Sequence, residues 1–324
     1  MSLIPDRSSL TIGFAHGAYQ LADAFAALDT GVRHFQVSTP EALMARMPEV
    51  DVLMISFAWR DALLERAPRL RFVQSISAGT DQFNKELLKS RGVRLASAQG
   101  GNERAVAEHA MGLLLSLTRH LHLARDDQAR RHWRPMIGDR TRREDELGGK
   151  TLVIVGMGRI GSRLAALARA FDMRIVAVKR NTAPLPGVAD AVVGPDRLNE
   201  ALAEADVVAL TCPLTPETQG LIGRDAIAAL KPGALFINVA RGKVVDEAAL
   251  TEALAQGRIA GAGLDCFHDE PLPATSPLWA MPHVIVTPHS AGETRRYEAH
   301  VLAILMDNLG RLWRGESELR NGIV

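Results

Sequence analysis

Little in the chain ties it to an oxidising compartment, a membrane or a polyanion. Two cysteines, Cys212 and Cys266, occur in 324 residues. Two cannot build a disulfide framework, and this pair has no metal-ligand spacing, so no metal site is expected. No apolar run approaches the ~18–20 residues that span a bilayer. The longest greasy stretch, 111–117, is interrupted by Gly112 and Ser116. The opening Met1-Ser2-Leu3-Ile4-Pro5-Asp6 lacks the basic and then apolar regions of a secretory signal. Thirty-eight Lys+Arg against 37 Asp+Glu leave a formal charge of +1. That argues against general polyanion binding, although a local basic patch is compatible with it. A reduced, cytoplasmic protein with no nucleic-acid or membrane partner is expected. The chain has no fixed short-period repeat and no low-complexity tract.

What is present is ordinary globular material, 47% hydrophobic and 23% charged, enough for a sizeable core. At about 150 residues per domain the length suggests two domains. Apolar runs at 10–14, 51–55 and 71–76 read as strands, with helix-like segments such as 19–28 and 61–67 between them. Strands spaced by helices imply βαβ units and a parallel sheet. A long helix is expected over 103–125, with Val106, Ala110, Leu113, Leu114, Leu117 and Leu121 forming its stripe. The stretch 125–146 carries both signs of charge around Trp133. It reads either as a solvated loop or as an arm packing on a second subunit with Trp133 as anchor. A second series follows: strand 151–155, helix 159–170, strand 173–178, and buried strands near 207–210, 234–239, 259–264 and 283–286. The final helix, 294–313, has no strand after it and is free to return to the first domain. The fold class is α/β, with two doubly wound parallel sheets.

Gly156-Met157-Gly158-Arg159-Ile160-Gly161 matches G-x-G-x-x-G between a strand and a helix, the context a dinucleotide fingerprint requires. Gly156 permits the tight turn, Gly158 lets backbone approach a pyrophosphate, and Gly161 lets helix and strand pack closely. An acidic residue at the end of the next strand would bind the ribose 2′-hydroxyl of NAD. Here Val178 is followed by Lys179, 23 residues after Gly156, and Arg180. Two cations suit a 2′-phosphate, which predicts NADP(H) over NAD(H). The plainer alternative is a pair of solvated loop cations with weak preference.

Three further motifs lie at the carboxyl ends of strands, where ligands of parallel sheets sit. They are Asn238-Val239-Ala240-Arg241-Gly242, the run from Leu264 through Asp265 and Glu270 to Leu272, and Thr287-Pro288-His289-Ser290-Ala291-Gly292. Hydride transfer to a carbonyl needs a proton donor for the emerging alkoxide, and histidine suits that task. A neighbouring carboxylate would hold the ring, and an arginine can grip a substrate carboxylate. His289 is the best placed base. His109 reads as a packed or hydrogen-bonded helix residue, His268 as pointing elsewhere, and His283 as lying at the far side of its strand. Cys212 has no base near it in sequence and reads as a pocket-lining residue.

With these motifs, the chain resembles the D-isomer-specific 2-hydroxyacid dehydrogenases over nearly its whole length. Val106-Ala107-Glu108-His109, Ile76-Ser77-Ala78-Gly79-Thr80-Asp81 and Cys212-Pro213-Leu214-Thr215-Pro216-Glu217-Thr218 add to the match. The resemblance implies a flavodoxin-like substrate domain, 1–101 completed by 293–324, and a Rossmann NAD(P)-binding domain, 102–292, with a cleft between them. It implies that Arg241 binds a 2-oxo acid, that His289 is the acid/base paired with Glu270, and that the amides at Ala78 and Gly79 receive the substrate carboxylate. Arg159 and Ile160 would touch the pyrophosphate. Cys212, Val239, Ala240 and Asp265 would line the nicotinamide half, Asp265 nearest the carboxamide. Pro213, Thr218, Ala291 and Gly292 fall in the same cofactor motifs. A homodimer through 103–146 is implied as well.

The expected activity is NADPH-dependent reduction of a small 2-oxo acid to its D-2-hydroxy acid. Glyoxylate and hydroxypyruvate are the first substrates to consider, on a resemblance around His132-Trp133-Arg134-Pro135 and Pro271-Leu272-Pro273 to reductases of those acids. Two alternatives are a formate or phosphite dehydrogenase and a dinucleotide-sensing regulator on the same fold. The phosphite-oxidising pattern has lysine where this chain has Ala78, and the intact Arg241, Glu270 and His289 favour an enzyme. The pair Glu103-Arg104 after Asn102 is a departure with no assigned role.

Overall fold

The structure, a computed structural model, describes residues 2–324. The chain divides into two compact units, Met1–Asn102 with Thr294–Val324, and Glu103–Glu293.

The first unit holds β1 (Thr11–Ala15), β2 (Arg33–Val37), β3 (Val52–Ile55), β4 (Phe72–Ser75) and β5 (Arg94–Ala96). They form one parallel sheet in the order β2-β1-β3-β4-β5, the flavodoxin-like order. Strands β1, β3 and β4 are buried at every position, as strands covered on both faces must be. That continuous burial makes them readable as apolar runs. Strands β2 and β5, which no apolar run marks, lie at the sheet margins and carry exposed or half-buried residues. The segment expected as a helix over 61–67 is a 3-10 helix, Asp61–Arg66. Pro68 follows it, and a residue before proline is steered out of the α region. The helix Tyr297–Trp313 lays Val301, Leu302, Leu305 and Leu309 on one face of the sheet, against Ile12, Phe14 and Phe72. Fully buried Asn308 fastens it there, donating to Gln74 Oε1 at 2.9 Å, while Gln74 Nε2 donates to the carbonyls of Ser75, Ala96 and Ser97. Residues beyond that helix cover the β5 edge. Gly322 pairs antiparallel with Ala96, and Ile323 N donates to Leu95 O at 2.8 Å.

The second unit holds β6 (Thr151–Val155), β7 (Arg174–Val178), β8 (Ala191–Val193), β9 (Val207–Leu210), β10 (Leu235–Asn238), β11 (Gly261–Leu264) and β12 (Val284–Val286). The sheet is parallel throughout, in the order β12-β11-β10-β9-β6-β7-β8. The strand order reverses between β6 and β9, the switch point where Rossmann sheets bind dinucleotides. The helix Glu103–Thr118 packs Leu113, Leu114 and Leu117 onto this sheet. Its close approach explains why β11 reads Gly-Ala-Gly-Leu, since a Cβ on Gly263 would come within 2.8 Å of Leu113 Cβ.

The long helix expected over 103–125 is two helices, Glu103–Thr118 and Leu121–Ala129. His120 takes left-handed angles, φ 51° and ψ 31°, and turns the chain between them. Leu121 continued the apolar period in the sequence but is 53% exposed, so the stripe stops at Leu117. The stretch after Ala129 has a single 3-10 turn, Arg140–Arg142, among its described residues. It folds on itself through Arg143, which donates to the carbonyls of Ile137 and Gly138. Trp133 and Met136 stand almost wholly exposed on it. Among the described residues, no helix is long and apolar enough to cross a membrane.

Candidate active site

The nucleotide end of the second unit is built by glycines. Gly156, just past β6, takes φ +98°, and a Cβ there would sit 2.5 Å from the Cys212 amide nitrogen. Two chain turns thus meet at the switch point with no room for a side chain between them. A Cβ on Gly161 would lie 2.4 Å from Gly156 O, so the helix Arg159–Arg169 can lean on that turn only through glycine. Gly158, in contrast, faces open space. It caps the helix with no side-chain hydrogen bond, and Arg159 and Ile160 open that helix, at the end where backbone amides face an anion. A pocket of about 540 Å³ opens here, lined by Gly156, Gly158, Cys212, Pro213 and Thr218, with Lys179 and Arg180 at its β7 side. These residues fit a dinucleotide, with backbone donors and a glycine cradle at the pyrophosphate position and two cations beyond β7. Glu217 lines the same pocket, so the local charge is mixed. Its carboxyl lies below the usual range, held first by Thr215 and also by Arg180. Burial pushes the Cys212 thiol up to about 11, so at neutral pH it lines the pocket as an apolar group.

The polar chemistry stands at the ends of β10, β11 and β12. Buried Asn238 ends β10, and its Oδ1 accepts from Ala240 N at 3.0 Å while Nδ2 donates to Arg241 O at 3.2 Å. That turn carries the buried Val239 and Ala240 and presents the half-buried Arg241. Gly242 follows because a Cβ there would strike the Phe267–His268 peptide at 2.0 Å. After β11, Glu270 Oε1 accepts from Phe267 N at 2.9 Å, and Oε2 takes His289 Nδ1 at 2.8 Å. Burial works to raise the Glu270 carboxyl. His289, the Phe267 amide and Arg241 outweigh it and hold the group below its usual value. Glu270 is therefore the ionised partner that accepts from His289 Nδ1–H and orients the ring.

His289 itself sits at φ 53°, a left-handed conformation that costs a non-glycine residue about 1–3 kcal/mol. The buried carboxylate of Asp265 maintains it. Asp265 Oδ1 accepts from Thr287 Oγ1 at 2.6 Å and from Ser290 N at 2.9 Å, and Oδ2 accepts from Ala291 N at 3.0 Å. The carboxylate thus clamps the chain on both sides of His289, with buried Ala291 and half-buried Gly292 closing the turn. Neither the clamp by Asp265 nor the turn by Asn238 is in the sequence reading; short polar residues at strand ends beside glycine or proline were its only signal. The competing histidines go elsewhere, with His268 Nε2 on Val245 O at 2.8 Å and His283 Nε2 on Leu254 O at 3.2 Å.

In the first unit, Ala78 and Gly79 follow β4. Ser75 Oγ donates to Ser77 O and accepts from Ser77 N, Ser56 Oγ lies 2.5 Å from Ser77 Oγ, and the Tyr297 hydroxyl donates to Ile76 O. Among the described residues of this unit, the amides of Ala78 and Gly79 have no acceptor. Two adjacent amides of that kind suit an anion.

A family model described as D-isomer specific 2-hydroxyacid dehydrogenase, NAD binding domain, matches residues 111–291. The chain belongs to the D-isomer-specific 2-hydroxyacid dehydrogenase family. It is 35% identical over 286 residues to a D-3-phosphoglycerate dehydrogenase of Methanocaldococcus jannaschii, covering 86% of this chain and 52% of that one. The chain thus spans about half the length of the phosphoglycerate dehydrogenases it matches. It is 36% identical over 289 residues to a glyoxylate reductase of Pyrococcus furiosus, covering 85% of this chain and 83% of that one. A solved NADPH-dependent glyoxylate/hydroxypyruvate reductase of Sinorhizobium meliloti, in complex with NADP and malonate, superposes with a TM-score of 0.82. It is 26% identical and covers 98% of this chain and 97% of its own.

Proposed function

We propose that this family member reduces a small 2-oxo acid of the glyoxylate or hydroxypyruvate kind to its D-2-hydroxy acid, preferring NADPH. The observation that carries the reading is the 2.8 Å Glu270–His289 pair, on the same sheet as Arg241 and a glycine-cradled nucleotide pocket. When bound, the reduced nicotinamide supplies the hydride. Arg241 grips the oxo acid and draws charge toward its carbonyl oxygen. His289, with Nδ1–H committed to Glu270, gives a proton from Nε2 to that oxygen as it becomes an alkoxide, and ionised Glu270 holds the ring in register. In the other unit, the two adjacent amides of Ala78 and Gly79 suit a carboxylate. Lys179 and Arg180 support NADPH because a 2′-phosphate accepts charge-assisted hydrogen bonds and a 2′-hydroxyl cannot match them.

Initial rates with NADPH and NADH, against glyoxylate, hydroxypyruvate, pyruvate, phosphohydroxypyruvate and a phenyl-substituted 2-oxo acid, test this. Turnover of the smaller unphosphorylated acids with NADPH is expected. Turnover with NADH alone would overturn the cofactor reading, and a preference for phosphohydroxypyruvate would overturn the substrate. His289→Asn should lower kcat by about 10²–10⁴-fold and leave NADPH binding intact. Neutralising Lys179 and Arg180 should weaken NADPH by about 1–3 kcal/mol and spare NADH.

We further propose a homodimer. Trp133 and Met136, at 96% and 97% exposure, are large apolar groups on an irregular arm within 103–146, and such groups anchor interfaces. Both cysteines are free, which suits a reduced cytoplasm.

A further inference from the structure

The Val106-Ala107-Glu108-His109 motif has no part in the chemistry above, yet His109 reaches the loop that carries it. His109 Nε2 lies 3.0 Å from Thr287 Oγ1, a contact between residues 178 apart in sequence. The same hydroxyl lies 2.6 Å from Asp265 Oδ1. An ionised carboxylate only accepts, so the hydroxyl hydrogen points to Asp265 and a hydroxyl lone pair points to His109. His109 therefore donates from Nε2, and the proton order runs from imidazole to hydroxyl to carboxylate. A second approach, His109 Nε2 to Asp265 Oδ1 at 3.6 Å, keeps ring and carboxylate in one polar cluster.

The cluster brackets the acid/base. Thr287 is bound to Asp265 on one side of Pro288-His289, and Ser290 and Ala291 are bound to it on the other. The left-handed backbone of His289 is the part with least intrinsic preference for its shape. The helix Glu103–Thr118, seated on β10 and β11 by its apolar face, is the rigid element from which His109 acts. Without the hydroxyl, Asp265 loses its shortest donor and His109 its acceptor, and the carboxylate grips the loop through the Ser290 and Ala291 amides only.

We propose that His109 and Thr287 are positioning residues that set the placement of His289 against Glu270. This inference rests on the acid/base role assigned to His289 above. Thr287→Val and His109→Leu should each lower kcat for glyoxylate by about 10–100-fold, the scale expected when a reacting group is misplaced by about an ångström. NADPH dissociation constants should stay within about twofold of wild type. Thr287→Ser and His109→Gln, which keep the hydroxyl and an N–H donor, should retain most of kcat. The double variant should be no worse than the poorer single one, as for two members of one chain of contacts. A readout independent of turnover is the low-field NMR signal of the His289 Nδ1 proton bound to Glu270, assigned by its loss in His289→Asn. That signal should shift or broaden in Thr287→Val and persist in His109→Gln. Full kcat and an unmoved signal in Thr287→Val would overturn the proposal. So would equal losses in all four single variants, which would mean packing alone. If the wild type turns over no 2-oxo acid, the functional reading falls and the NMR comparison still decides the positioning.

Discussion

Two strand-end loops, one in each unit, are held by different chemistry. The loop after β4, which carries Ala78 and Gly79, is tied by neutral groups: hydroxyls of Ser56, Ser75, Ser77 and Tyr297. The loop after β12, which carries His289, is tied to one buried carboxylate. A neutral network spreads its cost over many modest bonds, and losing one leaves the others in place. A carboxylate concentrates three donors on one group, so its loss strands all of them in a water-poor site. The first arrangement is tolerant, and the second fixes a single histidine in a backbone conformation it would not choose.

Breaking the charged anchor should have the largest effect. Asp265→Ala is expected to destabilise the second unit by about 3–5 kcal/mol, because three donors lose their acceptor together at about 1–3 kcal/mol each, less what water recovers. Urea unfolding followed by circular dichroism checks this, and a loss under about 1 kcal/mol would place the loop's stability elsewhere. Breaking the neutral network should cost less. Tyr297→Phe leaves the buried Ile76 carbonyl without its hydroxyl donor, for about 1–2 kcal/mol. Burial holds the Tyr297 hydroxyl protonated well past neutral pH, so this bond persists across the physiological range. The expected kinetic signature is a raised KM for the oxo acid at nearly constant kcat; a fall in kcat alone would count against a carboxylate-receiving role for the β4 loop.

The smallest effect appears with acid. Partial burial raises the Asp206 carboxyl, but the Thr151 amide and Lys231 outweigh it and leave it below its usual value. Asp190 is likewise lowered, by the Ile175 amide against burial and by Arg169. Both anchor strand starts in the second unit. A carboxyl whose folded value is depressed adds stability above its unfolded value near 4, and that stability is lost as pH falls through the lower folded value. Melting temperature should therefore fall below about pH 4, and Asp206→Asn together with Asp190→Asn should flatten that fall. An unchanged acid profile in the double variant would assign the effect to other carboxylates.

Much of this was legible in the sequence. Fully buried strands such as β3 and β6 announce themselves as apolar runs, and the glycines of 156–161 announce a close approach that the structure measures in ångströms. Strands β2, β5 and β8 were not legible, because they are only three residues long or mix exposed polar residues into the run, whereas the equally marginal β12 continues the apolar run Val284-Ile285-Val286 into Thr287-Pro288. The break at His120 escaped because periodicity records side-chain faces and not the sign of φ. The Asp265 clamp escaped for a different reason. Its donors lie 22 to 26 residues downstream, and its His109 support comes from another helix, so no local pattern connects them.

The β5 edge, closed by Asn321, Gly322 and Ile323, bears on how the chain is made. The second unit is continuous in sequence and can be completed while its helical successor is still being synthesised. The first unit begins earlier but finishes later. Until residues 297–324 have left the ribosome, one face of its sheet lacks the helix that buries Ile12, Phe14 and Phe72, and the outer edge of β5 is unpaired. In vectorial synthesis the earlier-made domain is thus the last to be sealed. Its apolar sheet is exposed for as long as the translation of the intervening domain takes, a window in which chaperone protection matters most.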